Sequence, residues 1–320
     1  MRAVFPDFAT VSRDDIDLAT LEATGVGLSL YGVTTAEELP ARLAPAEILI
    51  TNKIRIGAAE LGAAPRLRLI CLSATGVNNV DLEAAEARGI GVCNITAYCT
   101  VSVVQHVYAL VLALTHHLAG YQGLLQQGAW KDSPQFCLLD YPIRELAGRK
   151  LGIVGFGELG RGVARAAPAF GLEVLVSERP GAPPGPPQGG RLPFERLLAE
   201  ADILSLHCPL TDATRGLIDA AALARMKPDA LLINTARGAL VDSAALAAAL
   251  RDGRIAGAGI DVLPQEPPVD GDPLLDAAIP NLIITPHVAW AAREARQRAV
   301  DEIAANIRSF LAGGRRGRVL

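Results

Sequence analysis

Paired cysteines are missing from this chain. Its 320 residues include five cysteines, and none of them stands in a Cys-x-x-Cys arrangement. An odd number without that spacing argues against a zinc cage and a disulfide framework, so we expect reduced thiols, no bound metal and a cytoplasmic location. Long apolar runs are missing as well. The longest, at residues 107–114, is far shorter than the ~20 residues that span a bilayer, so no membrane association is expected.

An excess of charge of one sign is also missing. The chain has 30 basic and 34 acidic residues, which gives a net charge of −4. Binding to nucleic acid by counterion release needs a clustered positive face, so we do not expect a nucleic-acid partner. Half of the residues are hydrophobic and a fifth are charged, which is typical of a globular protein. The length suits about two domains of ~150 residues.

Short apolar runs alternate with Ala-, Leu- and Glu-rich stretches along the chain. The runs lack polar alternation, which indicates strands covered on both faces, as in a parallel sheet. The mostly apolar stretch 100–122 predicts one long buried helix, and 293–311 predicts an amphipathic helix. The clearest strands are predicted at 48–50, 69–71 and 90–92 in a first series, and at 151–154, 174–176, 203–206, 231–233, 258–260 and 282–284 in a second.

A glycine-rich turn opens the second series. Gly155, Gly157 and Gly160 form the pattern G-x-G-x-x-G, directly after an apolar strand and at the start of a helix. A lone pattern of this kind is weak evidence, but this strand–turn–helix context is the one that a dinucleotide site requires. The glycines allow a tight turn and a close approach of pyrophosphate, and the helix that begins with Glu158 and Leu159 offers its amides to the phosphates.

An acidic residue, Glu178, ends the next predicted strand, 18 residues after Gly160. At this position a carboxylate binds the ribose hydroxyls and repels a 2′-phosphate, which favours NAD. Arg179 is adjacent, and its charge leaves NADP open as an alternative. The Pro- and Gly-rich segment 180–190 that follows predicts a loop, which either covers the adenine or is solvated without a role.

Three residues with chemically useful side chains follow predicted strands further along. Arg237, Glu266 and His287 fall at the carboxyl ends of strands, as does Asp261, and ligands of open parallel sheets bind at those ends. Singly, each has a plainer interpretation, namely a surface arginine, a solvated glutamate or a structural histidine. Their convergence on one edge favours a shared site.

Four ordered motifs resemble those of the D-isomer-specific 2-hydroxyacid dehydrogenases. The likeness covers nearly the whole chain, because residues 74–81 also resemble that family's substrate loop. Segments 51–53, 136–140 and 290–297 are similar, more narrowly, to the glycerate dehydrogenase or hydroxypyruvate reductase branch. The four motifs are the glycine turn, residues 234–238, Gly259-x-Asp261 followed by Glu266-Pro267, and Pro286-His287.

The resemblance implies an α/β fold with two Rossmann-like, doubly wound parallel-sheet domains. A cofactor domain, residues 100–287, would be inserted into a discontinuous, flavodoxin-like substrate domain formed by residues 1–99 and 288–320. The helix at 100–122 would then help to form a homodimer.

The resemblance also implies roles for the site residues. His287 would be the general acid and base, Glu266 would hydrogen-bond it and stabilise the imidazolium, and Arg237 would bind the substrate carboxylate and polarise the carbonyl. Asp261 would accept a hydrogen bond from the nicotinamide carboxamide, and Cys208 would contact the cofactor without reacting. The expected cofactor-binding set is Thr75, Gly155, Gly157, Glu158, Leu159, Gly160, Glu178, Cys208, Thr235, Ala236, Arg237, Asp261 and His287.

Substrate binding is expected to use both predicted domains. Backbone amides around Thr75, Gly76 and Val77 would hold the carboxylate. Lys53 is either a substrate contact or an exposed loop lysine, and Trp290 either walls the substrate pocket or packs against the last helix. The expected substrate-binding set is Lys53, Thr75, Gly76, Val77, Arg237, His287 and Trp290.

The implied activity is the NAD(H)-dependent interconversion of a small 2-keto acid and its D-2-hydroxy acid. The pairs hydroxypyruvate/D-glycerate and glyoxylate/glycolate are favoured, while formate, phosphite or a bulkier 2-hydroxy acid would suit the same side chains. An NAD-sensing, corepressor-like binding module is the alternative from another class, because this fold is also adapted to that use. A complete Arg237, Glu266 and His287 set favours the enzyme.

Overall fold

The chain folds into two compact units, each with its own parallel sheet. The computed structural model describes residues 1–181 and 189–320. One unit comprises Met1–Cys99 and Trp290–Leu320, and the other comprises Thr100–Ala289. Along the sequence, the second unit is therefore inserted between the two parts of the first. Residues 182–188 of the Pro- and Gly-rich segment, for which a loop was predicted, lie outside the described residues.

The first unit contains a five-stranded parallel sheet with the order β2-β1-β3-β4-β5, which is the flavodoxin-like order. Every residue of β3 and β4 is buried, which explains why these strands carry no polar alternation. The strands are β1 Arg2–Phe5, β2 Gly27–Leu30, β3 Ile48–Thr51, β4 Leu69–Leu72 and β5 Gly91–Cys93, and the helices are α1 Ala19–Glu22, α2 Leu39–Leu43, α3 Ala58–Gly62 and α4 Leu82–Ala87.

The second unit contains a six-stranded parallel sheet with the order β11-β10-β9-β8-β6-β7. An isolated parallel bridge between Ser177 and Leu192 continues this sheet beyond β7, as a rudiment of the next strand in a doubly wound fold. The strands are β6 Lys150–Val154, β7 Glu173–Val176, β8 Ile203–Leu206, β9 Leu231–Asn234, β10 Gly257–Ile260 and β11 Leu282–Ile284, and the helices are α5 Thr100–Thr115, α6 Leu118–Gln126, α7 Glu158–Ala166, α8 Phe194–Glu200, α9 Ala220–Arg225 and α10 Ser243–Arg251. The predicted fold class is confirmed.

The register of three neighbouring strands positions the candidate site. Ile260 of β10 pairs with Asn234 of β9 on one side and with Ile284 of β11 on the other. The carboxyl ends of these strands therefore lie side by side, at the usual strand spacing of about 4.8 Å. Whatever follows each strand emerges at one edge of the sheet.

The prediction of one helix at 100–122 is wrong. Helix α5 ends at Thr115, and α6 begins at Leu118 after a bend of 56°. Between them, His117 has a φ of +49°, a left-handed conformation that ends a helix. The His117 ring stacks on Tyr141 at 5.3 Å, and the Arg144 amide donates to the Thr115 carbonyl. These contacts with residues outside the two helices thus stabilise the break in place of one continuous helix.

The amphipathic helix predicted at 293–311 is α11, Arg293–Leu311, which belongs to the first unit and packs against β4. Its buried face repeats every four residues, as expected for one side of a helix: Ala295, Ala299, Ile303 and Ile307. Within the described ranges, no single helix is long and apolar enough to cross a membrane. Helices α5 and α6 meet that criterion only as a bent pair.

Candidate active site

The side chains of Glu266 and His287 form a close hydrogen bond beyond the carboxyl ends of β10 and β11. His287 Nδ1 lies 2.5 Å from Glu266 Oε2, so the predicted contact between these side chains is present. The other carboxylate oxygen, Oε1, accepts a hydrogen bond from the Leu263 amide at 2.9 Å. This second bond fixes the orientation of Glu266. An imidazole held in this way at Nδ1 can exchange a proton through Nε2, as a general acid or base does.

The backbone at His287 is left-handed, with a φ of +55°. This conformation is uncommon for residues other than glycine and needs support from its surroundings. Asp261 provides that support. Its carbonyl oxygen accepts from the His287 amide at 2.7 Å, while its carboxylate oxygens accept from the amides of Val288 and Ala289, both at 2.9 Å.

The Asp261 carboxylate is buried and has further partners. Asp261 is only 1% exposed. The Thr285 hydroxyl donates to Oδ1 at 2.5 Å, and His106 Nε2 lies 3.0 Å from that hydroxyl and 3.6 Å from Oδ1. Both carboxylate oxygens of Asp261 thus hold the segment that carries His287. The predicted hydrogen bond from the nicotinamide carboxamide to Asp261 stays a prediction.

Arg237 follows β9 in a turn that a buried side chain shapes. Asn234 is fully buried, its Oδ1 accepts from the Ala236 amide at 3.0 Å, and its Nδ2 donates to the Arg237 carbonyl at 2.9 Å. A Cβ on Gly238 would lie 1.9 Å from the Leu263 carbonyl carbon, so the turn packs directly on the loop that leads to Glu266. The segments of Arg237 and Glu266 are therefore in contact, and the Arg237 side chain is exposed.

The glycine turn between β6 and α7 is built as the motif predicts. Gly155 has a φ of +93°, and a Cβ there would lie 2.4 Å from the Cys208 amide nitrogen. A Cβ on Gly160 would lie 2.1 Å from the Gly155 carbonyl oxygen. By contrast, among the described residues no heavy atom lies within 4 Å of the place a Gly157 Cβ would take. The first and third glycines serve packing, and the second leaves room at the start of α7.

Three buried polar atoms at the carboxyl edge of the same sheet test whether a dinucleotide fits. Ser177 Oγ, His207 Nδ1 and Thr235 Oγ1 have no hydrogen-bond partner within the described parts of the chain. They follow β7, β8 and β9, around the glycine turn. Buried polar atoms are rarely left without partners, so their arrangement fits a polar ligand at this edge. With the opening at Gly157, they fit NAD.

Burial sets the protonation of two groups beside the glycine turn. It lowers the pKa of His207 to about 4, so this imidazole is neutral near pH 7, with Nε2 lying 2.8 Å from Ser205 Oγ. It raises the pKa of the Cys208 thiol to about 11, so the thiolate is scarce. An unreactive Cys208 agrees with that. Glu178, after β7, is half-buried, and its amide donates to the Leu192 carbonyl.

The other substrate residues that the sequence predicted belong to the first unit. The Lys53 amide donates to Asp7, and the Thr75 hydroxyl donates to the Ile95 carbonyl at 2.9 Å. Gly76 and Val77 follow Thr75 in the loop after β4. Trp290 makes an edge-to-face contact with Tyr98, with ring centroids 6.4 Å apart. Their roles in binding stay predictions.

Sequence reasoning missed several polar residues of these sites. Asn234, Ser177 and His207 each adjoin a predicted strand end, and that position is the signal that could have found them. Their hydrogen bonds were not visible, because bonds such as that from Asn234 depend on turn geometry. The support that Asp261 gives to His287 crosses 26 residues and needed coordinates.

Comparisons with known proteins place this geometry in a family. The model of the D-isomer specific 2-hydroxyacid dehydrogenase NAD-binding domain matches residues 108–289. The chain is 47% identical over 279 residues to a glycerate dehydrogenase of Methylorubrum extorquens, covering 87% of each chain. It is 35% identical over 316 residues to a hydroxypyruvate reductase of Blautia hydrogenotrophica, covering 98% of each.

A solved structure agrees with these matches. The crystal structure of a Thermus thermophilus protein superposes with a TM-score of 0.86 at 36% identity, covering all of both chains. The family model matches more than half of the chain, and its description names NAD as the cofactor and 2-hydroxy acids as the substrates. The chain is thus an NAD-dependent oxidoreductase of 2-hydroxy acids, and it belongs to the D-isomer specific 2-hydroxyacid dehydrogenase family.

Proposed function

We propose that the protein reduces a small 2-keto acid, hydroxypyruvate or glyoxylate, to the corresponding D-2-hydroxy acid and catalyses the reverse reaction. The 2.5 Å contact between His287 and Glu266 carries the proposal, because it supplies a proton donor for a carbonyl oxygen. The choice of substrate is supported by relatives named glycerate dehydrogenase and hydroxypyruvate reductase.

His287 moves the proton in this proposal. Its Nε2 protonates the substrate carbonyl oxygen during reduction and takes the proton back in the reverse direction. Glu266 stays ionised, holds Nδ1 and stabilises the imidazolium that precedes the transfer. Bound NAD(H) supplies or accepts the hydride. Asp261 keeps His287 in place through the amides on either side of its side chain.

Arg237 binds the substrate carboxylate and polarises the carbonyl, because a guanidinium offers a planar fork of donors. We assign Lys53, the amides of Thr75, Gly76 and Val77, and the Trp290 ring to substrate binding as well.

Cofactor binding is assigned to the edge around the glycine turn. The start of α7, with Glu158 and Leu159, holds the pyrophosphate, and Glu178 takes the ribose hydroxyls and favours NAD over NADP. The buried polar atoms of Ser177, His207 and Thr235, which have no hydrogen-bond partner among the described residues, gain partners there. The remaining residues assigned to cofactor contact are Thr75, Cys208, Ala236, Arg237, Asp261 and His287.

A homodimer through α5 and α6 is also proposed. Large apolar side chains are exposed on and after these helices, including Val101 at 70% and Phe136 at 89%. Exposed apolar area of this kind marks interaction surfaces, and a second copy of the chain is its proposed occupant. Light scattering of the purified protein and of Val101→Glu tests the dimer, which the charge should disrupt. A cytoplasmic location stays a prediction from the five free cysteines.

The experiment for the activity is loss of NADH absorbance with hydroxypyruvate, glyoxylate, pyruvate and a bulky branched 2-keto acid, run in parallel with NADPH. We expect the highest kcat/KM with hydroxypyruvate or glyoxylate and with NADH. Turnover of the bulky acid alone would overturn the choice of substrate. Absence of turnover with every acid would favour formate or phosphite oxidation, or an NAD-sensing role.

A further inference from the structure

A buried carboxylate in the first unit accepts hydrogen bonds from the loop that carries Lys53. Asp7 lies two residues after the end of β1 and is 5% exposed. The loop follows β3, which pairs with β1 in the same sheet, so both emerge at the carboxyl edge where ligands of parallel sheets bind. Lys53 lies at the middle of this loop, whose backbone runs across the Asp7 side chain.

The contacts of Asp7 involve each residue from Thr51 to Ile54. Oδ2 accepts from the Lys53 amide at 2.7 Å, the Asn52 amide at 3.0 Å and the Ile54 amide at 3.3 Å. The Thr51 hydroxyl donates to the same oxygen at 3.1 Å. The shortest bond is the one from Lys53.

The donors around Asp7 compensate for the burial of its negative charge. A buried carboxylate is costly unless several donors surround it. Here three successive amides and a hydroxyl provide those donors, and hydrogen bonds to an ionised acceptor are about twice as strong as neutral ones. The loop cannot shift without leaving the charge poorly solvated, so its backbone has little freedom.

The far side of the loop is tied to the predicted substrate loop. Asn79 Nδ2 donates to the Ile54 carbonyl at 3.0 Å, and Asn79 lies in the segment 74–81 that contains Thr75, Gly76 and Val77. Asp7 and Asn79 thus fix the Lys53 backbone relative to those amides. An ammonium group and several amides on one edge suit a carboxylate anion.

We propose that Asp7 is a positioning residue for substrate binding, which holds Lys53 where its ammonium group meets the carboxylate of the 2-keto acid. The inference rests on the proposed function, in which Lys53 binds substrate. Asp7 itself touches neither substrate nor cofactor. Because it acts on binding and not on proton transfer, its loss should raise KM and leave kcat nearly unchanged.

A double-mutant cycle tests this role, using Asp7→Ala, Lys53→Met and the double variant. The substrate is hydroxypyruvate or glyoxylate, whichever the wild-type enzyme turns over with the higher kcat/KM. We expect Asp7→Ala to raise KM about tenfold with kcat within about twofold, since small misplacements of a binding group weaken binding strongly. In the Lys53→Met background, Asp7→Ala should have no further effect on KM. Asp7→Asn, which keeps the side-chain shape, serves as the second variant if Asp7→Ala does not fold.

The control is Asp242→Ala, which removes a carboxylate that accepts from the Ala244 and Ala245 amides at the start of α10. It should lower Tm without changing KM. Equal effects of Asp7→Ala on KM in both backgrounds, or a fall in kcat in place of a rise in KM, would overturn the proposal. An unchanged KM in Lys53→Met would also overturn the proposal. The activity itself is decided separately, by turnover of the four 2-keto acids by the wild-type enzyme.

Discussion

Asp261 holds His287 from the neighbouring strand end. The Asp261 carbonyl accepts from the His287 amide at 2.7 Å, and its carboxylate binds the next two amides. These bonds support the left-handed φ of His287, together with a hydrogen bond from the His287 amide to the Thr285 carbonyl at 3.0 Å. A carboxylate predicted to contact the cofactor thus also supports the backbone of the proposed proton donor.

Replacing Asp261 by Ala should therefore lower kcat by about a hundredfold, because the imidazole loses its fixed position. Steady-state kinetics measures this, and titration of NADH fluorescence should give a Kd within about threefold of wild type. Asp219→Ala, which removes the N-cap of α9 in the same unit, is the matched control with unchanged kcat. A loss of NADH affinity with normal kcat would show that contact with the cofactor, and not support of His287, is the main role of Asp261.

The glycine turn allows a test that separates folding from cofactor binding. Gly160→Ala places a Cβ 2.1 Å from the Gly155 carbonyl oxygen, so Tm and NADH affinity should both fall. Gly157→Ala adds a Cβ at a place with no heavy atom of the described residues within 4 Å, so Tm should stay within about 2 °C. NADH affinity should fall roughly tenfold, because the Cβ blocks the close approach of the pyrophosphate. Normal NADH binding by Gly157→Ala would place the cofactor elsewhere.

Stability should fall on acidification because of His207. Burial lowers its folded pKa from 6.5 to about 4, so the unfolded chain takes up a proton near pH 6.5 and the folded chain does so only near pH 4. The contribution is complete above pH 6.5 and is lost as the pH falls to 4, by roughly 3 kcal/mol. Urea unfolding of wild type and His207→Gln at pH 7 and pH 4.5 checks this. The variant should lose less stability between the two, and equal losses would contradict the assignment.

Cofactor preference should depend on Glu178. Glu178→Ala removes a negative charge where a 2′-phosphate would lie, so the ratio of kcat/KM for NADPH to that for NADH should rise at least about tenfold. Glu173→Ala, at the exposed start of β7, the strand that precedes Glu178, is the control and should leave the ratio unchanged. If the two variants behave alike, Glu178 does not contact the ribose.

The sequence predicted the two parallel sheets because apolar runs such as those of β3 and β8 are buried along their whole length. It also placed the ends of α11 correctly, since the apolar face of that helix repeats without interruption. It missed the helix break at His117, because the break depends on stacking against Tyr141, 24 residues away.

The candidate site was predictable only in part. Arg237, Glu266 and His287 follow strands, and strand ends can be located from sequence. The positioning residues Asn234, Asp261 and Asp7 act through hydrogen bonds whose partners depend on turn and loop geometry. Such bonds leave no periodic pattern in the sequence.

The most direct test compares NADH oxidation by wild type, His287→Ala and Glu266→Gln. The substrate is hydroxypyruvate, or glyoxylate if the wild-type enzyme prefers it. We expect kcat to fall about 10²- to 10⁴-fold for His287→Ala, since general acid catalysis contributes a rate factor of that size, and to fall less for Glu266→Gln. NADH binding should be retained by both. A His287→Ala enzyme that turns over at the wild-type rate would contradict the role of His287 as the proton donor.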